Sequence, residues 1–221
     1  MTDYNLKGLS VFLAMPVQED VPIEAVVSLF ATDAHFRNLG VPLHTTFQIG
    51  GTLCGSRCQA AADFLASGAN RLLCLDSDMV WKPEDVVRLL AMSTVMDIVT
   101  APYVARRDPP AFFVRVPNGE DLTCNEHGCV AIDGTGLGFC VISRKVIEDL
   151  STKAPTIQFP ASVPIPELFR FTVVDGQFRG EDIAFFEDAR AAGYQCWMDT
   201  SIQLGHVGRK VYSAKLNLRE A

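Results

Sequence analysis

Two carboxylates one residue apart, Asp76 and Asp78 with Ser77 between them, follow the apolar run Leu72-Leu73-Cys74-Leu75. In extended backbone the side chains at i and i+2 point the same way, so both can converge on one cation. Hard oxygen ligands suit magnesium or manganese, ions that keep several waters and also bind substrate phosphates. The chemistry such a pair serves is departure of a diphosphate. An Asp-x-Asp at a strand end also makes turns, so the pair needs partners elsewhere in the chain to carry a functional reading.

Three further segments offer partners. Glu181-Asp182 opens a helical pattern after Gly180, where the helix dipole favours acids whether or not they do chemistry. Near a reacting hydroxyl, Asp182 can take its proton as general base, a role worth roughly 10²–10⁴-fold in rate, and Glu181 can orient the site. His206 stands in Leu204-Gly205-His206-Val207-Gly208, and an imidazole is a competent third ligand for manganese or zinc. Gly134-Thr135-Gly136-Leu137-Gly138 precedes a strand instead of opening a helix, so it is not a dinucleotide fingerprint. Its glycines admit a close approach of backbone to a substrate, or they form a bulge before the strand.

The elements that must hold these residues alternate. Leu9 to Met15 reads as a buried strand stopped by Pro16, and Ile23 to Phe36 has helical spacing of Val26, Val27, Leu29 and Phe30. Val41 to Ile49 is a second strand, Ser56 to Leu65 a second helix, and Arg71 to Leu75 a third strand running into the carboxylate pair. Pro83 opens a helix through Met92, and Met96 to Thr100 makes a fourth strand. Strands alternating with helices predict a mostly parallel sheet, with ligands at the carboxyl ends of its strands.

From about residue 101 the rhythm changes. Ala111 to Val116 and Val130 to Ile132 read as short antiparallel strands joined by a polar loop with Asn118-Gly119. Gly138 to Ser143 is a strand, Ser143 caps a helix from Arg144 to Leu150, and a proline-rich loop (Pro155, Pro160, Pro164, Pro166) forms a candidate lid before the helix Glu181 to Ala192. The chain reads as one catalytic domain, 1–221, with a donor half (1–100) and an acceptor half (101–221).

Composition narrows the classes. The chain has 221 residues and a net charge of −7, which gives no general attraction to nucleic acid or anionic membrane. With no apolar run of 18 residues and no signal-peptide layout at its start, it reads as a cytoplasmic protein. Its seven cysteines read as reduced thiols. Cys124, His127 and Cys129, perhaps joined by Cys54 and Cys58, invite a zinc reading, although their spacing lacks a C-x-x-C pair. Trp81 and Trp197 read as packing. A Walker-type ATPase is a poor alternative, since the sequence contains no G-x-x-x-x-G-K-[ST].

Taken together, Leu72 through Asp78, Gly134 through Gly138, Gly180-Glu181-Asp182 with Ala192-Gly193-Tyr194, and Asp199 through His206 resemble the glycosyltransferase-A superfamily, in its family-2-like nucleotide-sugar branch. The resemblance implies an α/β fold with a Rossmann-like, mostly parallel central sheet and a small antiparallel acceptor-side subsheet. It implies metal binding by Asp76, Asp78 and His206, a base at Asp182, and a donor contact from Arg57, although Cys58 stands where an asparagine is common. Pro16 and Val17 are implied to line the base pocket, with Ser77 and Gly136 beside the donor. Tyr103, Arg106 and Arg107 are within the segment that could reach donor sugar or phosphate, as arginine forks do; a solvated basic loop is the other reading.

The implied activity is metal-dependent transfer of a sugar from a nucleotide sugar, UDP-linked in preference, to an acceptor hydroxyl with inversion. Magnesium or manganese is the implied cofactor, and the acceptor is a glycan, a metabolite or a hydroxymethylated base in viral DNA. Two rivals stay open. One is a non-catalytic nucleotide- or glycan-binding protein on the same fold; the other is a sugar-nucleotidyl transferase, for which the segment after the first strand, Pro16-Val17-Gln18-Glu19-Asp20, lacks a glycine-rich basic loop.

Overall fold

The computed structural model describes residues 5–117, 122–159 and 163–216. Its first half alternates as the sequence predicts: β1 (Val11–Val17), α1 (Ile23–Leu39), β2 (Leu43–Ile49), α2 (Leu53–Ser67), β3 (Arg71–Leu75), β4 (Met79–Val80), α3 (Pro83–Met92) and β5 (Ile98–Thr100). The middle holds β6 (Val114–Arg115), β7 (Cys129–Ile132), β8 (Gly134–Thr135), β9 (Phe139–Ser143) and α4 (Arg144–Ser151). Then come β10 (Thr156–Ile157), β11 (Ile165–Pro166), β12 (Thr172–Val174), β13 (Gln177–Arg179), α5 (Glu181–Ala191), β14 (Cys196–Asp199), β15 (Gly205–Val207) and β16 (Val211–Ser213).

One seven-stranded sheet runs β2-β1-β3-β9-β5-β14-β7. β9 lies antiparallel between β3 and β5, and β7 is antiparallel to β14; the other strands point one way. Strands from both halves of the chain interleave in this sheet. Two cores cover its faces. On one, Phe12, Phe64, Ile142, Phe169 and Phe185 pack with α2, α4 and α5; on the other, Leu13, Met15, Leu73, Val86 and Leu90 pack with α1 and α3. Each such fully buried side chain contributes about 1.5–3 kcal/mol.

Local chemistry sets the helices that carry the site. Thr52 opens α2 by accepting the Gly55 N–H at 3.2 Å, and Gly68 ends it in the left-handed region (φ 75°). For α3, Pro83 occupies the first turn and the Asp85 carboxylate accepts the Lys82 N–H at 2.9 Å.

Several sequence expectations are corrected. β1 continues through Pro16 to Val17, because Pro16 lies past the last residue pair with β3, where a missing N–H is tolerated. Val27 and Phe30 of α1 are exposed; the helix buries Ala25, Ser28, Thr32 and Phe36 instead, and the small Ser28 and Thr32 let Trp81 pack close, its Nε1 donating to Thr32 Oγ1 at 2.8 Å. Ser143 does stand at the start of α4, but its hydroxyl donates to Asp97 at 2.5 Å and does not cap the helix. The two strands expected on either side of the Asn118-Gly119 loop take other partners: β7 edges the main sheet beside β14, while β6 pairs with β8. The proline-rich segment contains the antiparallel pair β10–β11. Asn118-Gly119 and Pro160 lie outside the described residues.

Candidate active site

The sheet's topology explains where the chemistry gathers. β1, β3, β5 and β14 end at one edge, and β9, running the other way, begins there. That edge therefore receives Asp76–Asp78 from the end of β3, Tyr103 from beyond β5, and Gly138 from the start of β9. The Asp76 N–H donates to the Gly138 carbonyl at 3.0 Å, fixing the carboxylate loop against the glycine segment.

Gly138 has no side chain because two groups fill the space. A Cβ there would lie 2.5 Å from Asp76 Oδ2 and 2.5 Å from the Tyr103 ring, and one on Gly136 would meet the same ring at 3.0 Å. The atoms that approach these glycines closely are the protein's own, from Asp76 and Tyr103. The Tyr103 hydroxyl donates to Asp76 Oδ2 at 3.1 Å. Burial and the neighbouring Asp76 and Asp78 carboxylates push the phenol well above its ordinary pKa, so it stays a donor.

Arg57 lies beneath this layer. Its side chain is 6% exposed, with Nη2 2.7 Å from Asp76 Oδ1 and Nη1 2.6 Å from Glu181 Oε1. Burial alone lowers a guanidinium's pKa; Asp76 and Glu181 more than offset it and keep Arg57 charged. Pro16 joins Arg57 and Asp76 in lining a small cavity, whereas Val17 is buried at the end of β1. Ser77 is half-buried in the turn between the two carboxylates.

Asp78 faces another set. The Val207 N–H donates to its carbonyl at 2.8 Å, so β15 is stitched to the carboxylate loop and brings His206 with it. Gly205 and Gly208 make this possible: a Cβ on the first would stand 2.8 Å from Val211, and on the second 3.1 Å from Arg106. His206 is buried, its Nδ1 lies 2.9 Å from the Val104 carbonyl oxygen, and its ring meets Tyr103 edge-on. A carbonyl only accepts, so Nδ1 carries a proton, which leaves Nε2 as the nitrogen facing Asp78. Nε2 is 3.2 Å from Asp78 Oδ2 but has no hydrogen-bond partner.

A carboxylate facing an imidazole nitrogen draws positive charge, and with Nε2 unprotonated a divalent cation fits that donor set; a backbone carbonyl orienting the far nitrogen is the usual support for a histidine ligand. Arg106, half-exposed, supplies part of that charge at 3.1 Å from Asp78. Burial pushes the Asp78 carboxyl up, and His206 and Arg106 together more than offset it, leaving it below the ordinary carboxylate range. Asp76 is turned toward Arg57 and Tyr103, and among the described residues no three His, Cys, Asp or Glu side chains converge as a ready-made cage. That finding gives the zinc reading of Cys124, His127 and Cys129 no support; Cys129 is buried in β7.

Asp182 stands in the first turn of α5, next to Glu181. Its Oδ1 accepts the Ile183 N–H at 2.7 Å, and Gly180 leaves room for it, since a Cβ there would lie 2.8 Å away. Burial, with the Glu181 charge next, pushes its carboxyl up to about 6; Asp76 adds to the same effect.

No family model and no curated protein sequence matches the chain. Its likenesses are structural. Protein A197 from STIV superposes with a TM-score of 0.58 at 17% identity, covering 96% of this chain and 97% of that one. GalNAc-T7, crystallised with UDP, GalNAc and Mn2+, superposes with a TM-score of 0.61 at 10% identity over 94% of this chain and 45% of its own length. The chain has a glycosyltransferase-A type fold. On that fold, sequence reasoning missed the Arg57–Glu181 bond and the Val104 carbonyl behind His206. The first joins residues 124 positions apart, and neither backbone carbonyls nor distant ion pairs leave a local sequence signal.

Proposed function

We propose that the chain is a metal-dependent glycosyltransferase that moves a sugar from a nucleoside-diphosphate sugar to an acceptor hydroxyl with inversion. The observations that support this reading are the Asp78–His206 pair, 3.2 Å apart past the end of β3, and the carboxyl of Asp182 at the start of α5, pushed up to about 6. GalNAc-T7, on the same fold, holds UDP and Mn2+, which supports a UDP donor and manganese here.

Asp78 and His206 would hold the cation, with Asp76 beside it. When bound, a divalent ion supplies Lewis-acid neutralisation of the charge that develops on a departing diphosphate. The rest is done by the chain. Asp182, ionised above about pH 6, accepts the proton of the acceptor hydroxyl as its oxygen forms a bond to the anomeric carbon and the carbon–phosphate oxygen bond breaks. The nucleoside diphosphate leaves with that electron pair. Arg106, half-exposed beside Asp78, would meet phosphate oxygens.

The test is release of UDP from UDP-hexoses with manganese, with the anomer of the first-formed product read by NMR. Manganese-dependent release with an inverted product, lost in Asp182→Asn, supports the reading. A retained anomer assigns Asp182 to acceptor binding, and no turnover of any sugar nucleotide favours the non-catalytic binding protein.

A further inference from the structure

We infer that Arg57 is a positioning residue: its guanidinium ties the Asp76–Asp78 loop to the start of α5 and so sets where Asp182 stands relative to the cation pair, without touching the substrate. This rests on the function proposed above and goes beyond it, since the resemblance alone gives Arg57 to the donor.

The geometry argues for the tie. Arg57 comes from the first turns of α2, Asp76 from the end of β3 and Glu181 from the first turn of α5. These segments share no covalent connection shorter than the 19 residues between Arg57 and Asp76, yet their charged groups meet at 2.7 and 2.6 Å. Both terminal nitrogens are used on carboxylates, and the side chain is 6% exposed, so little of it remains for a ligand to reach. Glu181 is 7% exposed; buried, it needs a cation, and Arg57 is the one it meets among the described residues. Charge-assisted bonds through the two arms of a rigid planar fork fix distance and angle together, which a single ammonium cannot do.

The tie continues past Asp76. Its second oxygen receives the Tyr103 hydroxyl, and the Tyr103 ring lies edge-on to His206 at 5.1 Å between centroids. A continuous path thus runs from Glu181, the residue before the base, to the histidine of the cation pair. Placement errors near 1 Å in such an arrangement cost about 10²-fold in turnover.

Arg57→Lys, Glu181→Gln and their double variant distinguish the tie from a donor contact, using steady-state kinetics, calorimetric UDP affinity in manganese, and thermal melting. A tie predicts that each single variant loses about 10–100-fold in kcat while manganese-dependent UDP affinity stays within about threefold, and that the double variant is no slower than the slower single. Glu181→Gln carries the test if Arg57→Lys fails to fold. Unchanged kcat in Glu181→Gln, or a tenfold loss of UDP affinity in Arg57→Lys that Glu181→Gln does not share, overturns the inference. Absence of manganese-dependent UDP binding by the wild type overturns the functional reading, and this inference falls with it.

Discussion

His206 presents Nε2 to Asp78 Oδ2 at 3.2 Å, with Nδ1 committed to the Val104 carbonyl. With Nε2 unprotonated, the two atoms form a donor pair that a cation between them would satisfy. His206→Ala removes one donor and leaves Asp78 with Arg106, so manganese affinity should drop about tenfold or more, while His206→Gln, which lacks a ring nitrogen in that place, should not restore it. Manganese titration followed by electron paramagnetic resonance, which reads free ion directly, checks this; equal affinity in wild type and His206→Ala would remove the histidine from the cation site.

The pH dependence follows from Asp182. A base with its carboxyl at about 6 works when ionised, so kcat/KM should rise with pH through about 6 and level off above it. Below that point the rate should fall about tenfold per pH unit. A profile flat from pH 5 to 8 would say that Asp182 takes no proton.

The same carboxyl carries a stability cost. Its folded-state value, about 6, lies above the ordinary aspartate value of about 3.9. The folded chain therefore binds this proton more tightly, and its stability falls as pH rises from about 4 to about 6, with the full penalty present above that window. Asp182→Asn, which keeps the Oδ1 bond to Ile183, should be inactive yet more stable at pH 7.5, by on the order of 1–3 kcal/mol before solvent screening of a half-buried group. Denaturant melts at pH 7.5 and pH 4 test this: the gain should disappear at the lower pH.

Gly138 and Gly136 make a graded pair. Gly138→Ala forces a Cβ to 2.5 Å from Asp76 and Tyr103, whereas Gly136→Ala meets only the Tyr103 ring, at 3.0 Å. The first should cost about 1–3 kcal/mol of stability and at least tenfold in turnover, and the second distinctly less of both. Equal effects would mean that displacement of Asp76 is not what matters.

Much of this arrangement is legible in the sequence. Arg71–Leu75 ends where its apolar run ends, and the carboxylates follow at once, so the place of Asp76 and Asp78 needs only strand periodicity and the switch to polar residues. The direction of β9 is not legible, because a buried apolar strand such as Phe139–Ser143 reads the same whichever way it runs. Nor is β14, four residues long, separable from a turn by pattern. α1 misleads for a different reason: Ile23, Val27 and Phe30 are apolar and exposed, so both faces of the helix carry hydrophobic residues and periodicity cannot say which one packs. Arg57 shows the limit for the site itself. Its residue type and helix are readable, but its partners come from β3 and α5, and only the folded sheet brings them together.

The central claim, that Asp78 and its neighbours form a donor site built around a divalent cation, is tested most directly by calorimetric titration of UDP and GDP, each with and without manganese, on the wild type and on Asp78→Ala. The account predicts manganese-dependent binding of one nucleotide, UDP in preference, abolished by Asp78→Ala in a variant that still melts cooperatively. Binding of neither nucleotide, or binding that ignores both manganese and the loss of Asp78, would contradict it.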